Sequence, residues 1–452
     1  MNEKAQNNLS IAEDIIKKSL QKGCDAAEVY IIGADSISVE AKEGTVDALE
    51  VSRDFGIAVK VIKKHRLGFS YTSLPERAED TVNASIESAD HTCVDKFMNI
   101  PEERPPSDVK VFDSELKDIK EEDVIRNALA LEENALTSDE RVKKVRKAEV
   151  SVRRGTTAIV NSRGVNISYE SGYISASVSL LAVDDKGDSQ MGWDFDIRRK
   201  LKDLDIAMIG ASAAERAIGL LGSRTITSVS VPVILDPHVS VQFLDILSAS
   251  LSADAVQKQR SFLAGKVGRK IISDCIDIID DGVMPWGIGT RPVDGEGVPT
   301  SRKSLVSEGV LAGYIHNTYT AAKAGTSSTG NASRGGFKSL PGVAVTNLFI
   351  SPDNTEDAGR DADGMVKRLS KGILITDVMG IHTANPVSGD FSIGISGVWI
   401  EGGERKHPVK EALMSGNILD LFRKVEETGS DLRFYGNTGS PSLLVGEMDI
   451  SA

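Results

Sequence analysis

Histidine and cysteine are the side chains best able to hold a catalytic zinc ion or to activate a nucleophile. The chain has six histidines, none within six positions of another, and three cysteines that form no C-x-x-C pair. A local zinc site needs histidines a few residues apart or paired cysteines, so the spacing predicts no such site. The residues concerned are His65, His91, His238, His316, His382 and His407, with Cys24, Cys93 and Cys275.

Folding can join residues that are distant in the sequence, so a metal site built from His316 and His382 stays open as an alternative. A hydrolase that uses His316 or Ser388 without zinc is a further alternative, but no constellation of residues supports it. Lone histidines are more often ordinary polar residues. The turn residues Thr383 to Asn385, which follow His382, favour that simpler interpretation.

Two other patterns resemble catalytic motifs. The segment from Gly325 to Gly330 has the spacing of a phosphate-binding loop, but Asn331 stands where such a loop carries lysine. The charge that would contact a phosphate is therefore missing, and we interpret the segment as a loop of a larger domain. Asp280 and Asp281 are paired carboxylates, but glycine follows them, so a turn explains them more simply than acid–base catalysis.

Composition narrows the class of protein and its partners. The net charge of −13 disfavours nucleic-acid binding, because phosphates repel an acidic chain. The one basic segment, residues 141–154, has no aromatic residue for base stacking and is typical of a solvated strand face. No run of about 18 apolar residues occurs, so no membrane association is expected. Unpaired cysteines and the lack of a signal peptide predict a cytoplasmic location.

Hydrophobic periodicity indicates strands grouped apart from helices. This arrangement predicts an α+β fold of antiparallel sheets with flanking helices, in which two small N-terminal α/β modules precede a large C-terminal β-rich domain. The predicted modules are residues 1–95, 113–224 and 226–452, with a proline-containing linker at 94–112. Predicted strands of the first module are residues 28–32, 37–41, 46–51 and 57–62, after a helix that Ser10 caps.

Two helices of the C-terminal domain are predicted in more detail. The segment from Val239 to Ala253 has a helical apolar stripe. A second helix is capped by Asn417, continues through Val425 and stops at Gly429.

Two segments near the carboxyl end carry a family resemblance. Residues 389–403 read GDFSIGISGVWIEGG, and residues 434–448 read FYGNTGSPSLLVGEM. They resemble the signature of the PmbA (TldE) branch of the TldD/PmbA family, also called modulators of DNA gyrase. The resemblance covers essentially the whole chain. It implies a protease in which a zinc-bearing TldD subunit pairs with a metal-free TldE subunit, and it implies the same three-part organisation.

The resemblance also locates the positions that hold zinc in TldD subunits. There a His-Glu-x-x-x-His helix and a later cysteine bind the metal. The matching histidine positions fall near Leu244 and Ala249, the glutamate position near Asp245, and the cysteine position at Tyr435. The resemblance therefore implies no catalytic residue and no metal ligand in this chain, with zinc expected only in a TldD-type partner.

A substrate cleft is implied at a turn-rich rim. By resemblance, Ser388, Gly389, Asp390 and Phe391 would lie near the cleft, where the glycine would allow close backbone approach and the phenylalanine could wall a pocket. A tight structural turn with a core phenylalanine is an equally good interpretation of the same residues.

The leading hypothesis is a non-metal, TldE/PmbA-type subunit of a TldD/TldE-like metalloprotease complex that acts on unfolded peptides. Its expected partners are a TldD-like subunit in a heterodimer, or a second copy in a homodimer, together with a peptide substrate. The alternative is a regulatory or binding protein of the gyrase-modulator type that has no peptidase activity.

Overall fold

The computed structural model describes residues 3–352 and 359–451. These residues form one six-stranded N-terminal sheet, two six-stranded C-terminal sheets and a short two-stranded ribbon. Within the described ranges, no helix combines the length and the apolar character that crossing a membrane requires.

The N-terminal sheet is antiparallel throughout, with strand order β3-β2-β1-β4-β5-β6. Its central pair, β1 with β4, joins the first meander to the second, so both amino-terminal segments share one continuous sheet. The strands are β1 (Ala26–Lys42), β2 (Thr45–Lys63), β3 (Arg66–Thr72), β4 (Val142–Asn161), β5 (Asn166–Val183) and β6 (Ser189–Arg198).

Four helices cover one face of this sheet. They are α1 (Glu3–Gln21), α2 (Ala78–Asp90), α3 (Glu121–Thr137) and α4 (Ile206–Ile218). Side chains alternate along a strand, so the odd-numbered residues of β1 share a face. Val29 and Ile31 pack in the core beneath α1 and α2, whereas Ile37 and Val39 pack beneath α3 and α4.

The elements of this half are longer than the sequence pattern predicts. The segments 28–32 and 37–41 belong to the single strand β1, because pairing continues through Gly33 to Ser36. The prediction that Ser10 begins the first helix is wrong. Helix α1 begins at Glu3, and Ala5 and Asn8 in its first turns are already buried.

The C-terminal region contains a closed ring of five strands. Strand β7 pairs in parallel with β14, and antiparallel pairings then connect β14 to β15, β15 to β16, β16 to β20 and β20 back to β7. The strands of this first C-terminal sheet are β7 (Val229–Leu235), β14 (Lys371–Met379), β15 (Asp390–Glu401), β16 (Glu404–Asn417), β17 (Val425–Thr428) and β20 (Leu443–Ser451).

The second C-terminal sheet lies beside the ring and consists of short strands. They are β8 (Ile278–Asp281), β9 (Arg302–Ser307), β10 (Val310–Leu311), β13 (Leu348–Ile350), β18 (Arg433–Tyr435) and β19 (Thr438–Ser440), while β11 (Ala332–Ser333) and β12 (Gly342–Val343) form the ribbon. The helices are α5 (Pro237–Ser250), α6 (Ala253–Gln257), α7 (Thr318–Ala324), α8 (Ala362–Arg368) and α9 (Ile418–Arg423). Single turns of 3-10 helix lie at Pro75–Arg77, Ser114–Lys117, Leu201–Asp203 and Ile381–Thr383.

These observations confirm the α+β class and the β-rich carboxyl-terminal region, although β7–β14 and β13–β19 are parallel. The predicted helix after Asn417 is partly wrong. Asn417 does cap α9 by accepting a hydrogen bond from the Leu419 amide, but the helix ends at Arg423. Val425 instead begins β17, which pairs with β20.

Candidate functional site along helix α5

Helix α5 carries the positions that the family resemblance relates to zinc binding. The carboxylate of Asp236 accepts a hydrogen bond from the His238 amide at 2.9 Å, and Pro237 occupies the first turn. An aspartate at the N-cap followed by proline in the first turn stabilises the N-terminus of a helix. Phe243 and Leu247 are fully buried and fix one face of α5 in the large C-terminal core.

The three positions that the family resemblance relates to zinc ligands lie in different surroundings. Leu244 is completely buried in the same core. Ala249 is exposed at the other end of the helix. Tyr435, in β18, is buried against the first turn, where its ring centre lies 5.1 Å from that of His238. A hydrocarbon in the core and a methyl group in solvent offer no donor atom, so these positions do not fit a metal ion.

Tyr435 belongs to a group of rings and ions around the start of α5, which we name the α5 cluster. The ring centre of His238 lies 4.6 Å from that of Trp193, and the two rings meet edge to face. A guanidinium nitrogen of Arg216 donates to the phenol oxygen of Tyr435 at 3.0 Å. The members of the α5 cluster are Trp193, Asp194, Phe195, Arg216, Asp236, His238, Arg433 and Tyr435.

Ion pairs compensate the charges that the α5 cluster buries. Arg433 donates to both oxygens of Asp194, at 2.8 and 2.7 Å, and its guanidinium lies 4.6 Å from the ring centre of Tyr435. Arg216 lies 3.6 Å from Asp236, the residue that caps the helix. The α5 cluster therefore joins β6 and α4 of the N-terminal sheet to α5 and β18 of the C-terminal region.

The electrostatics of the α5 cluster hold His238 uncharged at neutral pH. Burial lowers the pKa of His238 to about 4, and the positive charge of Arg216 acts in the same direction. Burial also raises the pKa of Tyr435, which keeps the phenol protonated. The His238 ring nitrogens lie 3.2 and 3.3 Å from the side-chain nitrogen of Gln242. His238 is therefore a neutral, buried imidazole that packs beside a protonated phenol.

Asp245 stands where the resemblance places a catalytic glutamate, and it keeps a carboxylate there. Its oxygen Oδ1 accepts a hydrogen bond from Thr438 Oγ1 at 2.8 Å. Although the residue is exposed by surface area, the surrounding protein partly desolvates its carboxylate and raises its pKa. A carboxylate of this kind can accept a proton, but among the residues that the structure describes it belongs to no group that could hold a metal ion.

The predicted cleft residues form a hydrogen-bonded turn. Ser388 Oγ donates to Asp390 Oδ2 at 2.7 Å, and Asn417 Nδ2 donates to Asp390 Oδ1 and to the Ser388 carbonyl, both at 2.9 Å. Gly389 has φ +83°, a conformation that favours glycine.

Phe391, which follows Asp390, is buried. Its ring centre lies 5.2 Å from that of Phe243 on α5. The structure thus places the turn beside α5, with Ser388 and Asp390 at the surface and Phe391 in the core.

His316 and His382 differ in their surroundings. His316 is buried, and its Nδ1 has no hydrogen-bond partner within the described ranges, whereas His382 is exposed in a 3-10 helix. Across residues 3–352 and 359–451, no three His, Cys, Asp or Glu side chains form a group that could hold a metal ion.

A buried ion network near the contact between the N-terminal sheet and the C-terminal region has no local signal in the sequence. Lys60 Nζ lies 3.3 Å from both Glu28 Oε2 and Glu296 Oε1, and Arg334 donates to Glu28 Oε1 at 2.5 Å. Burial by itself would lower the pKa of Lys60, but Glu28 and Glu296 reverse this effect and raise it. The partners are 32 to 306 positions apart in the chain, so spacing could not identify them.

The interpretation of Asp280 and Asp281 as turn residues holds for Asp281, whose Oδ1 accepts a hydrogen bond from the Val283 amide at 3.0 Å, and is wrong for Asp280. Both lie in β8, and the Asp280 side chain is fully buried. Its carboxylate accepts hydrogen bonds from the amide and hydroxyl of Thr346 and from Asn331 Nδ2, with Lys303 Nζ at 3.3 Å. Asn331, which directly follows the glycine-rich loop of residues 325–330, therefore donates a hydrogen bond inside the core of the C-terminal region.

Comparison with known proteins gives consistent matches along the chain. Models for the first, central and C-terminal domains of the PmbA/TldA metallopeptidases match residues 27–89, 114–221 and 228–452. The chain is similar to Escherichia coli metalloprotease PmbA, with 27% identity over 451 residues that cover 98% of this chain and 96% of that protein.

Two solved structures have the same fold. A Thermotoga maritima protein named as a modulator of DNA gyrase aligns with a TM-score of 0.89 and 27% identity, covering 98% of this chain and 99% of that one. TldE from Thermococcus kodakarensis aligns with a TM-score of 0.89 and 22% identity, covering 98% of this chain and all of that one (100%).

Proposed function

Because the chain belongs to the PmbA/TldD metallopeptidase family, we propose that it is the non-metal subunit of a TldD/TldE-like metalloprotease complex. In this role it completes the protein surface around unfolded peptide substrates, while a TldD-type subunit provides zinc and the hydrolytic step. Named relatives are metalloproteases, which supports a role in proteolysis.

The observation that carries the proposal is the chemistry of the replaced ligand positions. Leu244 is a fully buried hydrocarbon, Ala249 is an exposed methyl group, and Tyr435 is a protonated phenol bonded to Arg216. A catalytic zinc site takes three protein ligands and keeps one open position. None of these three side chains can supply the imidazole or thiolate that such a site uses.

The cleft proposal follows from the surface near α5. Ser388 and Asp390 are exposed beside the helix, and the hydrogen bonds to Asn417 fix the turn that carries them. We propose that this turn borders the path of the peptide. Its polar groups can bond to an extended backbone, as sheet proteins do when they bind a peptide strand.

The test measures zinc content and peptide cleavage for the isolated chain and for a mixture of the chain and a TldD-type subunit. We expect the isolated chain to hold less than stoichiometric zinc by elemental analysis and to leave unfolded peptides intact. Activity should appear on mixing. A variant of the TldD-type subunit that lacks its zinc histidines is the matched control and should abolish activity in the mixture. Cleavage of peptide by the isolated chain with bound zinc would refute the proposal.

The regulatory alternative gives a different outcome in the same experiment. If the chain acts without peptidase activity, its addition would leave the rate of the TldD-type subunit unchanged. The turn variant Asp390→Ala tests the cleft separately, since it should raise the KM for peptide in the mixture and leave zinc content unchanged.

A further inference from the structure

A pocket lies at one end of the ring of five strands in the C-terminal region. Val229 and Lys371 begin the parallel strands β7 and β14, and Trp399 lies near the end of the antiparallel strand β15. All three residues line the pocket, which has a volume of about 280 Å³. The mouths of closed sheets are places where small-molecule sites are often found.

One part of the lining is apolar and fixed in place. Ile226, Val229 and Trp399 pack against the large C-terminal core and also line the pocket. The segment that carries Ile226 is held by a backbone hydrogen bond from the Arg224 amide to the Pro408 carbonyl at 3.0 Å. The pocket is therefore already formed in the folded chain, and a flat apolar group can pack beside Trp399.

The other part of the lining is basic. Lys371 Nζ lies 5.3 Å from the ring centre of Trp399, and Arg224 and His407 also line the pocket. In the described part of the chain, no aspartate or glutamate lines the pocket or forms an ion pair with Lys371 or Arg224, although Glu401 lies opposite Lys371 in the β14–β15 ladder. The chain carries 66 acidic and 53 basic residues, so this local excess of positive charge departs from its average and favours a negatively charged ligand.

A second lysine–tryptophan pair in the chain shows what Lys371 lacks. Lys200 Nζ lies 4.6 Å from the ring centre of Trp286, and Lys200 Nζ also lies 3.8 Å from a carboxylate oxygen of Asp203. At Trp286 the protein itself therefore supplies the anion. At Trp399 the ammonium of Lys371 lines an open pocket instead, so a ligand can supply it.

We propose that this pocket binds a small aromatic anion, whose ring packs beside Trp399 and whose carboxylate or phosphate contacts Lys371 and Arg224. Guanidinium and ammonium groups both recognise these anions. A free amino acid fits poorly, because its own ammonium would be repelled by the two cations. The small volume excludes a large ligand, since most ligand sites occupy about 300–1,000 Å³.

The inference is independent of the proposed function. Asp390 of the proposed cleft and Trp399 lie toward opposite ends of β15, about 30 Å apart along the strand. The experiment below uses the full chain without a TldD-type subunit and measures no peptide cleavage. Its failure would leave the proposed role in proteolysis untouched.

Fluorine NMR of the full chain labelled with fluorotryptophan tests the proposal. The chain has three tryptophans, and Trp399→Phe identifies the signal of Trp399. Phenyl phosphate and benzoate, added separately, should each shift this signal saturably and leave that of Trp286 unshifted, and the tighter of the two identifies the preferred anion. Benzylamine, which has a ring and a positive charge, should not bind, and inorganic phosphate, which has no ring, should bind more weakly than phenyl phosphate. No saturable shift with either aromatic anion at millimolar concentration, or equal binding of benzylamine, would overturn the proposal.

Two substitutions at exposed residues locate the site. Lys371→Met and Arg224→Gln should each weaken binding of the aromatic anion by roughly 2- to 5-fold, as expected for an exposed ion pair, and added salt should reduce the difference. Lys200→Met, at the other lysine–tryptophan pair, is the matched control and should leave the affinity unchanged. Thermal unfolding checks that each variant is folded. Unchanged affinity in both pocket variants would place the ligand elsewhere and refute the assignment.

Discussion

Replacing His238 by glutamine should reduce the loss of folding stability that this protein undergoes when the pH falls from 7 to 4.5. The imidazole is 7% exposed and lies against Trp193 and Tyr435. Its pKa is about 4 in the folded chain, chiefly because of burial, and the ordinary value of 6.5 applies when the chain unfolds. The folded state therefore binds fewer protons than the unfolded state between these two pH values.

The sign and size of the effect follow from this difference. Stability rises with pH wherever the unfolded state binds more protons. The contribution of His238 is fully present above its unfolded pKa and is lost as the pH falls toward its folded pKa. A difference of about 2.5 pKa units corresponds to about 3 kcal/mol in total. Of this total, about 2.5 kcal/mol should disappear between pH 7 and pH 4.5.

Urea unfolding at the two pH values provides the assay, followed by tryptophan fluorescence because Trp193 contacts the ring. Carboxyl groups also titrate in this range, so the informative quantity is the loss in the unsubstituted protein minus the loss in His238→Gln. His91→Gln, at an exposed histidine, is the control and should behave like the unsubstituted protein. Equal losses in His238→Gln and the unsubstituted protein would refute the reasoning.

Four further predictions concern stability. Lys60→Met should lower the free energy of unfolding by about 3–5 kcal/mol, because it removes a cation that two buried carboxylates share. Lys63→Met, at an exposed ion pair, should lower it by at most about 1 kcal/mol. Leu244→Ala should cost about 2–5 kcal/mol, and Ala249→Ser should stay within about 0.5 kcal/mol. Gly389→Ala should cost about 1–2 kcal/mol at its positive φ. A chelator should leave the thermal unfolding midpoint unchanged.

Each of these outcomes can be contradicted by the same denaturation measurements. Equal costs for Lys60→Met and Lys63→Met would mean that the buried network contributes no more than a surface pair. A small cost for Leu244→Ala would argue against its place in the core. For Gly389, Gly313→Ala is the control, because an added Cβ there meets nothing within 4 Å and its φ is ordinary. A midpoint that falls with a chelator would indicate a structural metal ion.

The sequence predicted the fold class well because alternation and turns are local signals. It predicted strand lengths poorly, because a break in the pattern at Gly33 or at Asp54 predicts the end of a strand although the backbone pairing continues there. The length of the helix after Asn417 was overestimated for a related reason. Val425 fits a helical stripe and a buried strand equally well, and only pairing with β20 decides between them.

The candidate site was predictable only in part. The family resemblance pointed to α5, with Leu244 and Ala249, through one continuous stretch of sequence, and to Tyr435 through a second stretch near the carboxyl end. The α5 cluster could not be predicted, because Trp193, Arg216 and Tyr435 come from three distant elements and only the folded chain brings them to His238. The same holds for Lys60, whose partner Glu296 is 236 positions away.

The contacts of the α5 cluster hold helix α5 in place, as a bound metal ion holds its ligands together in many small sites. Metal binding couples to folding because the ion holds its ligands together. Here Asp236 caps the helix, Arg216 joins the cap to Tyr435, and the buried face around Leu244 anchors the middle of α5. These contacts need no ion, so the helix is positioned by side chains of this chain alone. In the non-metal subunit that we propose, this arrangement would let α5 present its surface to a partner without a metal ion of its own.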